Sequence, residues 1–402
     1  MIKMLPLEGI KIIDLTRILS GPFCTMTLAD MGAEVIKIES PAGDDTRKWG
    51  PPFINEQSAY YTSINRNKQS IVLNLKEEKG RKILLDLVKD ADVVVENFRP
   101  GTIAKLGVGY ETLKEHNPRI ILCSISGFGQ TGLYAQKPGY DVLAQGMGGL
   151  MSVTGEKGGA PVKAGYSLAD IGSGMWAAFG ILTALWERER SGEGQWVDTS
   201  LLDTMVSWQT YLAANYFATN DNPEPLGGAH PNIVPYQVFE ASDGHFIIAV
   251  GNDKLWQAFI GALDKEELND ERFATNPDRV NNREILIPML NQIFKTKTVQ
   301  EWITIIENAR IPCGPVNKFS DVLSDPHVLD REMVIEMSSP EGNAVKMLGI
   351  PVKFSRTPGK ARDLPPKLGE HTDLILKKLG YSDQEIDELS RDGIIKGSKQ
   401  VI

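Results

Sequence analysis

The segment Gly127-Phe128-Gly129-Gln130-Thr131-Gly132 spaces its glycines as GxGxxG, a pattern that can cradle the pyrophosphate of a dinucleotide. Such a loop would make the chain an NAD-dependent oxidoreductase. That chemistry needs the glycines to open a helix, so that free N–H groups and the helix dipole face the phosphates, and an acidic residue about 20 positions later. Instead the glycines run into Leu133-Tyr134-Ala135-Gln136-Lys137-Pro138-Gly139, which reads as a loop, and the first βα turn, Thr16 to Pro22, holds one glycine, Gly21. A glycine-rich surface loop fits this context better than a dinucleotide site. Cys24, Cys123 and Cys313 lie far apart without CxxC or Cys/His spacing, which argues against a metal site or a disulfide framework and fits a reducing cytoplasm.

Alternating elements must position whatever site exists. Ile10 to Leu15 is a β-branched run, Pro22 to Met31 a helix with Gly32 past its end, and Val35 to Ile38 apolar again, which together make a βαβ unit. Strand 70–75, helix 76–89, strand 93–96, helix 110–116 and strand 120–126 continue the alternation, predicting an α/β fold with a parallel Rossmann-like sheet. Met175 to Trp186 reads as a buried helix, too short for the roughly 20 residues a membrane span needs, and Ser200 to Phe217 as one long helix. Asp221 to Pro225 and Gly227-Gly228 form a turn-rich linker. The expected layout is a large domain over 1–220, a small α/β domain over 225–330, and a C-terminal return over 331–402. Prolines punctuate that return from Pro340 on, and helices 373–379 and 383–392 close it.

Composition narrows the function classes. An apolar share of 42% with 24% charged residues describes a folded globular chain. With 43 Lys plus Arg against 52 Asp plus Glu, the net charge of −9 has the wrong sign for a nucleic-acid or anionic-membrane binder. The opening residues reach Glu8, Lys11 and Asp14 before any signal-peptide apolar region forms, so a cytoplasmic location is expected.

Seven segments go beyond a generic α/β reading: GPFCTMTLADMGAEVIKIESPAGDDTR at 21–47, NRNKQSIVLNLK at 65–76, ADVVVENFRPG at 91–101, SISGFGQTG at 124–132, PGYD at 138–141, GQWVDTSLLD at 194–203 and GPVN at 314–317. In order and spacing, from about residue 5 to beyond 355, the chain resembles the class III CoA-transferases (CaiB/BaiF family), which include formyl-CoA and carnitine CoA-transferases. The resemblance implies a large Rossmann-like domain completed by the C-terminal segment, a smaller α/β domain, and an interlocked homodimer. It implies coenzyme A and acyl-CoA as substrates, with neither metal nor NAD. Carried over by motif position, CoA contacts fall on Ile18, Leu19, Ser20, Leu73, Lys76, Asn97, Phe98, Arg99 and Lys105, with Tyr140 and Asp141 beside the acyl group and thiol. Each basic residue among them could equally be a solvated surface charge.

The resemblance also implies a covalent acyl-transfer mechanism on Asp170, within Ser167-Leu168-Ala169-Asp170-Ile171-Gly172-Ser173-Gly174. Read from its neighbours alone, Asp170 precedes an apolar helix and would be its N-cap. Read as a nucleophile, it would be ionised at neutral pH with a reference pKa of about 3.9. Gly172 and Gly174 would then leave room for a thioester and aim N–H groups at a developing oxyanion. Tyr140 stands where the family's racemase and epimerase branch has a histidine base, which makes isomerase activity the second reading. HPNIVPYQVFEASDG at 230–244 and AVGND at 249–253 look like members that use succinyl-CoA as donor. A distal substrate carboxylate would need a cation or N–H groups, for which Arg47, Arg66, Gly227, Gly228 and His230 are candidates; the alternative for them is structural, as salt bridges of the fold and a hinge.

Overall fold

The computed structural model describes residues 5–338 and 344–397; Pro340 and the first four residues lie outside them. The described chain forms two compact units. One comprises the residues up to Leu150, Ala164–Ala213 and those from His327 on, and the other Met151–Lys163 and Ala214–Pro326.

Six strands make the sheet of the larger unit: β1 (Lys11–Asp14), β2 (Glu34–Glu39), β3 (Lys68–Val72), β4 (Val93–Glu96), β5 (Ile121–Ser126) and β6 (Trp196–Ser200). All pair in parallel, in the order β3-β2-β1-β4-β5-β6. Parallel strands linked through crossovers are covered on both faces, so their sequences read as unbroken β-branched runs. Ile13, Val94 and Leu122 pack with Leu84 and Leu87 of α2 (Glu78–Val88) on one side. Ile12, Val93, Val95 and Ile121 pack on the other with Leu28 of α1 (Ser20–Asp30) and with Ala177, Ile181 and Leu185 of α4 (Leu168–Ser191). Between α1 and α4 in the chain lies α3 (Asp141–Met147), which follows the 127–140 loop.

The C-terminal segment joins the first of these cores through Ile375 and Leu376 of α8 (Thr372–Lys378) and Ile386 and Leu389 of α9 (Asp383–Arg391). Gly369 N–H donates to Ser70 Oγ at 2.9 Å and Asn74 N–H to Ile394 O at 2.7 Å, tying that segment to the β3 edge.

The smaller unit has an antiparallel sheet of β7 (Tyr236–Glu240), β8 (His245–Ala249) and β9 (Cys313–Pro315), ordered β9-β8-β7. Phe294 at the end of α7 (Arg283–Phe294) is its packing hub. Its ring meets Phe239, Phe246 and Trp302 edge-on at 4.9, 5.2 and 5.2 Å between centroids.

Three expectations need correction. The helix expected over Met175 to Trp186 is α4, 24 residues long, and only one face of it is buried. Met175, Phe179, Leu182 and Trp186, spaced 4, 3 and 4 apart, make an outward stripe 43–70% exposed. By length and composition α4 could cross a membrane, with half of its most apolar window buried inside the protein. The single helix expected over Ser200 to Phe217 is broken. Ser200 ends β6 and caps α5 (Leu201–Ser207) by accepting the Asp203 N–H at 3.0 Å, and α6 (Thr210–Thr219) starts separately, with Thr210 at φ +39°. The C-terminal return, expected to be loop-rich, contains a hairpin of β10 (Val334–Ser338) and β11 (Ala344–Leu348).

Arg47 and Arg66 take the structural of their two possible roles. Arg47 donates to both Glu39 oxygens at 2.6 and 2.7 Å and to the Tyr61 hydroxyl at 2.6 Å, its guanidinium 3.9 Å from the Tyr61 ring centre. Arg66 forms a two-pronged pair with Asp30 at 2.6 and 2.9 Å and donates to Leu348 O, joining α1 to the hairpin. Removing one partner of such a buried pair leaves the other charge uncompensated, which costs about 3–5 kcal/mol. Arg66→Ala should lose that much in urea unfolding, and Asp30→Leu combined with Arg66→Met should recover most of it; a loss below about 1 kcal/mol for Arg66→Ala would contradict the assignment.

Candidate active site

The strand order reverses between β1 and β4, so the chain leaves their carboxyl ends in opposite directions and opens a crevice there, the usual ligand position of open parallel sheets. The turns after these strands, residues 15–20 and 97–99, carry most of the CoA contacts expected from the sequence. Beneath the first turn sits a buried polar cluster. Asp14 accepts from Thr16 N–H at 2.9 Å, Thr25 Oγ1 at 2.7 Å and Lys68 Nζ at 3.1 Å, while Lys37 Nζ donates to Thr16 O at 2.7 Å and Asp44 at 3.0 Å. Burial alone would raise the Asp14 pKa, but Lys68, then Lys37 and the two threonine hydroxyls, outweigh it and hold the group at about 2.

Ile18 adopts φ +70°, a strained value for a β-branched residue. Asn97 staples the two turns together: its Oδ1 accepts the Arg17 N–H at 2.9 Å and its Nδ2 donates to Arg17 O at 2.7 Å. Asn97, Phe98 and Ile18 are half-buried, and Arg99, Lys76 and Lys105 exposed. Leu19 and Ser20 are buried at the start of α1. Leu73 requires a correction. Its side chain is 1% exposed within the core and its N–H is donated to Glu39 O, so no side-chain contact with a ligand is open to it.

Asp170 is the third residue of α4 and is not its N-cap. The capping position, Ser167, makes no side-chain cap. Asp141, the first residue of α3, fills the role from outside: its Oδ1 accepts the N–H groups of Ala169 at 2.9 Å and Asp170 at 3.3 Å. Gln145 holds Asp141 in place, donating to Oδ2 at 2.7 Å while accepting the Ala164 N–H at 2.9 Å. The Asp170 carboxylate itself accepts no hydrogen bond among the described residues. Burial first, then the Asp141 charge, raises its pKa to about 7, so the expectation of a fully ionised aspartate at neutral pH is corrected to one about half protonated.

Gly172 and Gly174 have a different role from the one expected. Both are buried within the helix. A Cβ on Gly172 would lie 2.4 Å from the Trp208 ring, and one on Gly174 would lie 2.5 Å from Ser20 O. Gly174 therefore lets α4 dock directly against the turn after β1, and the glycines serve helix packing rather than an oxyanion.

Tyr60 was not singled out by the sequence. Burial, then Asp170 and Asp141, push its pKa to about 12, which puts a protonated hydroxyl within electrostatic reach of both carboxylates. Its ring meets Trp49 edge-on at 5.0 Å. Adjacent Tyr60 and Tyr61 look alike in sequence, and only packing separates the buried partner of Arg47 from the one facing the carboxylates. Tyr140 is 62% exposed at the start of α3.

Gly227, Gly228 and His230 belong to the smaller unit. The two glycines line a cavity of about 320 Å³ with Glu156, His245 and Lys295. Gly227, at φ +60°, donates its N–H to Gly155 O at 2.8 Å. His230 Nδ1 accepts the Asn232 N–H at 3.0 Å, and burial followed by Arg283 lowers its pKa, keeping the ring neutral at pH 7. The 127–132 glycine loop opens no helix; its Gly127 backbone rests against Gly139.

The profile of CoA-transferase family III matches residues 7–372. Over 393 residues the chain is 42% identical to human succinyl-CoA:glutarate CoA-transferase, covering 97% of this chain and 90% of that one. It is 42% identical over 386 residues to succinate–glutarate CoA-transferase of Agrobacterium fabrum, covering 93% and 96%. A crystal structure of a CaiB/BaiF family protein from Brucella suis, 44% identical, superposes with a TM-score of 0.83 over 93% of this chain and 99% of that one. The chain belongs to CoA-transferase family III. It is a CoA-transferase, an enzyme whose substrates include acyl-CoA.

The Asp170 environment sets the sign of two pH effects. Because the folded pKa is raised, this carboxyl favours the fold most at low pH and loses that contribution as pH rises from about 4 to about 7. Asp170→Asn should therefore raise the melting temperature at pH 8, by at most about 4 kcal/mol of stability, and leave it nearly unchanged at pH 3.5. Asp141→Asn keeps an acceptor for the α4 N–H groups but removes the charge, so the pH at which this loss of stability ends should move lower; an unmoved end point would contradict the coupling.

Proposed function

We propose that this CoA-transferase moves CoA from succinyl-CoA to a second carboxylic acid of similar size, such as a short dicarboxylate, through covalent intermediates on Asp170. The observation carrying this reading is the Asp170 carboxylate at the head of α4, stripped of hydrogen-bond donors and beside a second carboxylate. An ionised carboxylate held this way attacks without first shedding a hydration shell. The named relatives that act on succinyl-CoA or succinate and on glutarate support the choice of donor.

In the cycle, an Asp170 oxygen attacks the thioester carbonyl and CoA leaves as thiolate, giving an aspartyl–succinyl anhydride. The thiolate then attacks the aspartyl carbonyl, breaking the C–O bond to release succinate and leaving an aspartyl–CoA thioester. The acceptor carboxylate attacks that thioester and expels thiolate, which attacks the acceptor carbonyl and returns Asp170 as carboxylate. Each bond broken is replaced by one of similar energy, so the cycle needs no ATP, but anhydride and thioester must both be kept from water.

The apolar stripe of Met175, Phe179, Leu182 and Trp186 supports a second part of the proposal, a homodimer in which another copy of the chain covers it. Sedimentation should show a dimer that Phe179→Glu converts to monomer; a wild-type monomer at micromolar concentration would overturn this part.

Asp170→Ala should remove CoA exchange between two acids, a loss of at least about a thousandfold for a nucleophile. Incubation of wild type with succinyl-CoA and hydroxylamine should add a hydroxamate to the peptide carrying Asp170, detected by mass spectrometry. Exchange of the acyl α-hydrogen with deuterium in place of the hydroxamate would favour the isomerase reading.

A further inference from the structure

Glu96 ends β4, is 1% exposed, and has no part in the cycle above. Its Oε2 accepts the Phe98 N–H at 2.8 Å, and the Ser124 hydroxyl from β5 is a second favourable neighbour. Glu96, Ser124 and Asp198 are register partners across β4, β5 and β6, so their side chains leave the sheet on one face at adjacent strands. Trp196 Nε1 donates to Ser124 Oγ at 2.9 Å, orienting that hydroxyl. The charged group facing Glu96 is Asp198, whose Oδ2 accepts the Gln130 N–H at 2.9 Å; the buried Cys123 thiol of β5 is also within electrostatic reach. No ion pair among the described residues includes Glu96. Burial, opposed by Ser124 and Phe98 N–H and reinforced by Asp198, raises its pKa to about 7.

The Phe98 N–H that Glu96 holds belongs to the turn that Asn97 staples to Arg17. A change at Glu96 is therefore passed to both turns of the crevice. A hydrogen bond to an ionised acceptor is roughly twice as strong as one to a neutral acceptor, so the grip on this turn depends on the charge of Glu96.

We propose that Glu96 is a positioning residue whose ionised carboxylate fixes the Asn97–Arg99 turn in the form that receives CoA, and whose protonation loosens that turn. The proposal rests on the reading of these turns as the CoA site and acts through them, without contact with the reacting atoms.

Calorimetric binding of free CoA between pH 5.5 and 8.5 tests it. Wild-type affinity should fall on the order of tenfold from pH 8 to pH 6. Glu96→Gln should bind weakly with a flatter pH dependence, raising the KM for acyl-CoA while kcat stays within about threefold. Titration of Asp170 and of the CoA phosphate is common to both proteins, so the difference between them isolates Glu96. Ser124→Ala keeps Glu96 but removes a group favouring its ionised form, and should move the binding midpoint to higher pH. The same pH dependence in wild type and a folded Glu96→Gln, or an unmoved midpoint in Ser124→Ala if the Gln variant does not fold, would overturn the proposal. A fall in kcat at constant KM would overturn it too. If the wild type binds no CoA at any pH in this range, the reading of the turns as the CoA site falls, and this proposal with it.

Discussion

The first-turn N–H groups of α4 would ordinarily favour an aspartate's charge at this position. Asp141 occupies them, accepting from Ala169 and Asp170 with one oxygen while Gln145 holds the other. Asp170 is left with burial and a neighbouring negative charge, and its carboxyl moves to the middle of the neutral range. The cost is a fold less stable above that pH, and the result is a poorly solvated carboxylate, the state the proposed mechanism uses. In the proposed cycle this helix terminus, which would otherwise have made a quiet cap, supplies the nucleophile.

The scaffold keeps this arrangement in register with the ligand crevice. Gly174 lets α4 approach the backbone of Ser20, so the helix bearing Asp170 packs onto the first turn after β1. That turn is supported from below by the buried pairs Lys68–Asp14 and Lys37–Asp44, with Lys37 also donating to Thr16 O, and is tied sideways to the 97–99 turn by the amide of Asn97. Buried charges of this kind contribute less to stability than well-packed apolar groups would, but they fix the geometry of the turns above them. The strain at Ile18 is sustained by the same surroundings, with its N–H donated to Asp44 at 3.3 Å.

Much of the sheet was legible in the sequence because continuous β-branched runs such as Val93-Val94-Val95 have few other places to go than a strand covered on both faces. Asp170 and Asp141 were legible only through the motifs that place the chain near its relatives. Neighbouring residues alone pointed to a cap, since a pattern cannot reveal that an aspartate 29 positions earlier already fills the helix terminus. The extent of α4 was hidden because its buried alanines and its exposed Phe179 and Trp186 are both apolar, and periodicity does not separate an inner face from an uncovered outer one. Gly172 and Gly174 were ambiguous for a related reason: a missing side chain suits a ligand and a neighbouring helix equally. The ion pairs of Arg47 with Glu39 and Arg66 with Asp30 join residues 8 and 36 positions apart, and only the folded chain decides that these guanidiniums face inward.

A carboxyl-carbon NMR titration of protein labelled with ¹³C at its aspartates tests the state of Asp170 most directly, with its signal assigned by the loss of that signal in Asp170→Asn. This one resonance should titrate near pH 7, well above the aspartate reference of about 3.9. A midpoint below about 5 would show that Asp170 is an ordinary solvated carboxylate, and its reactivity would then have no basis in burial and the Asp141 charge.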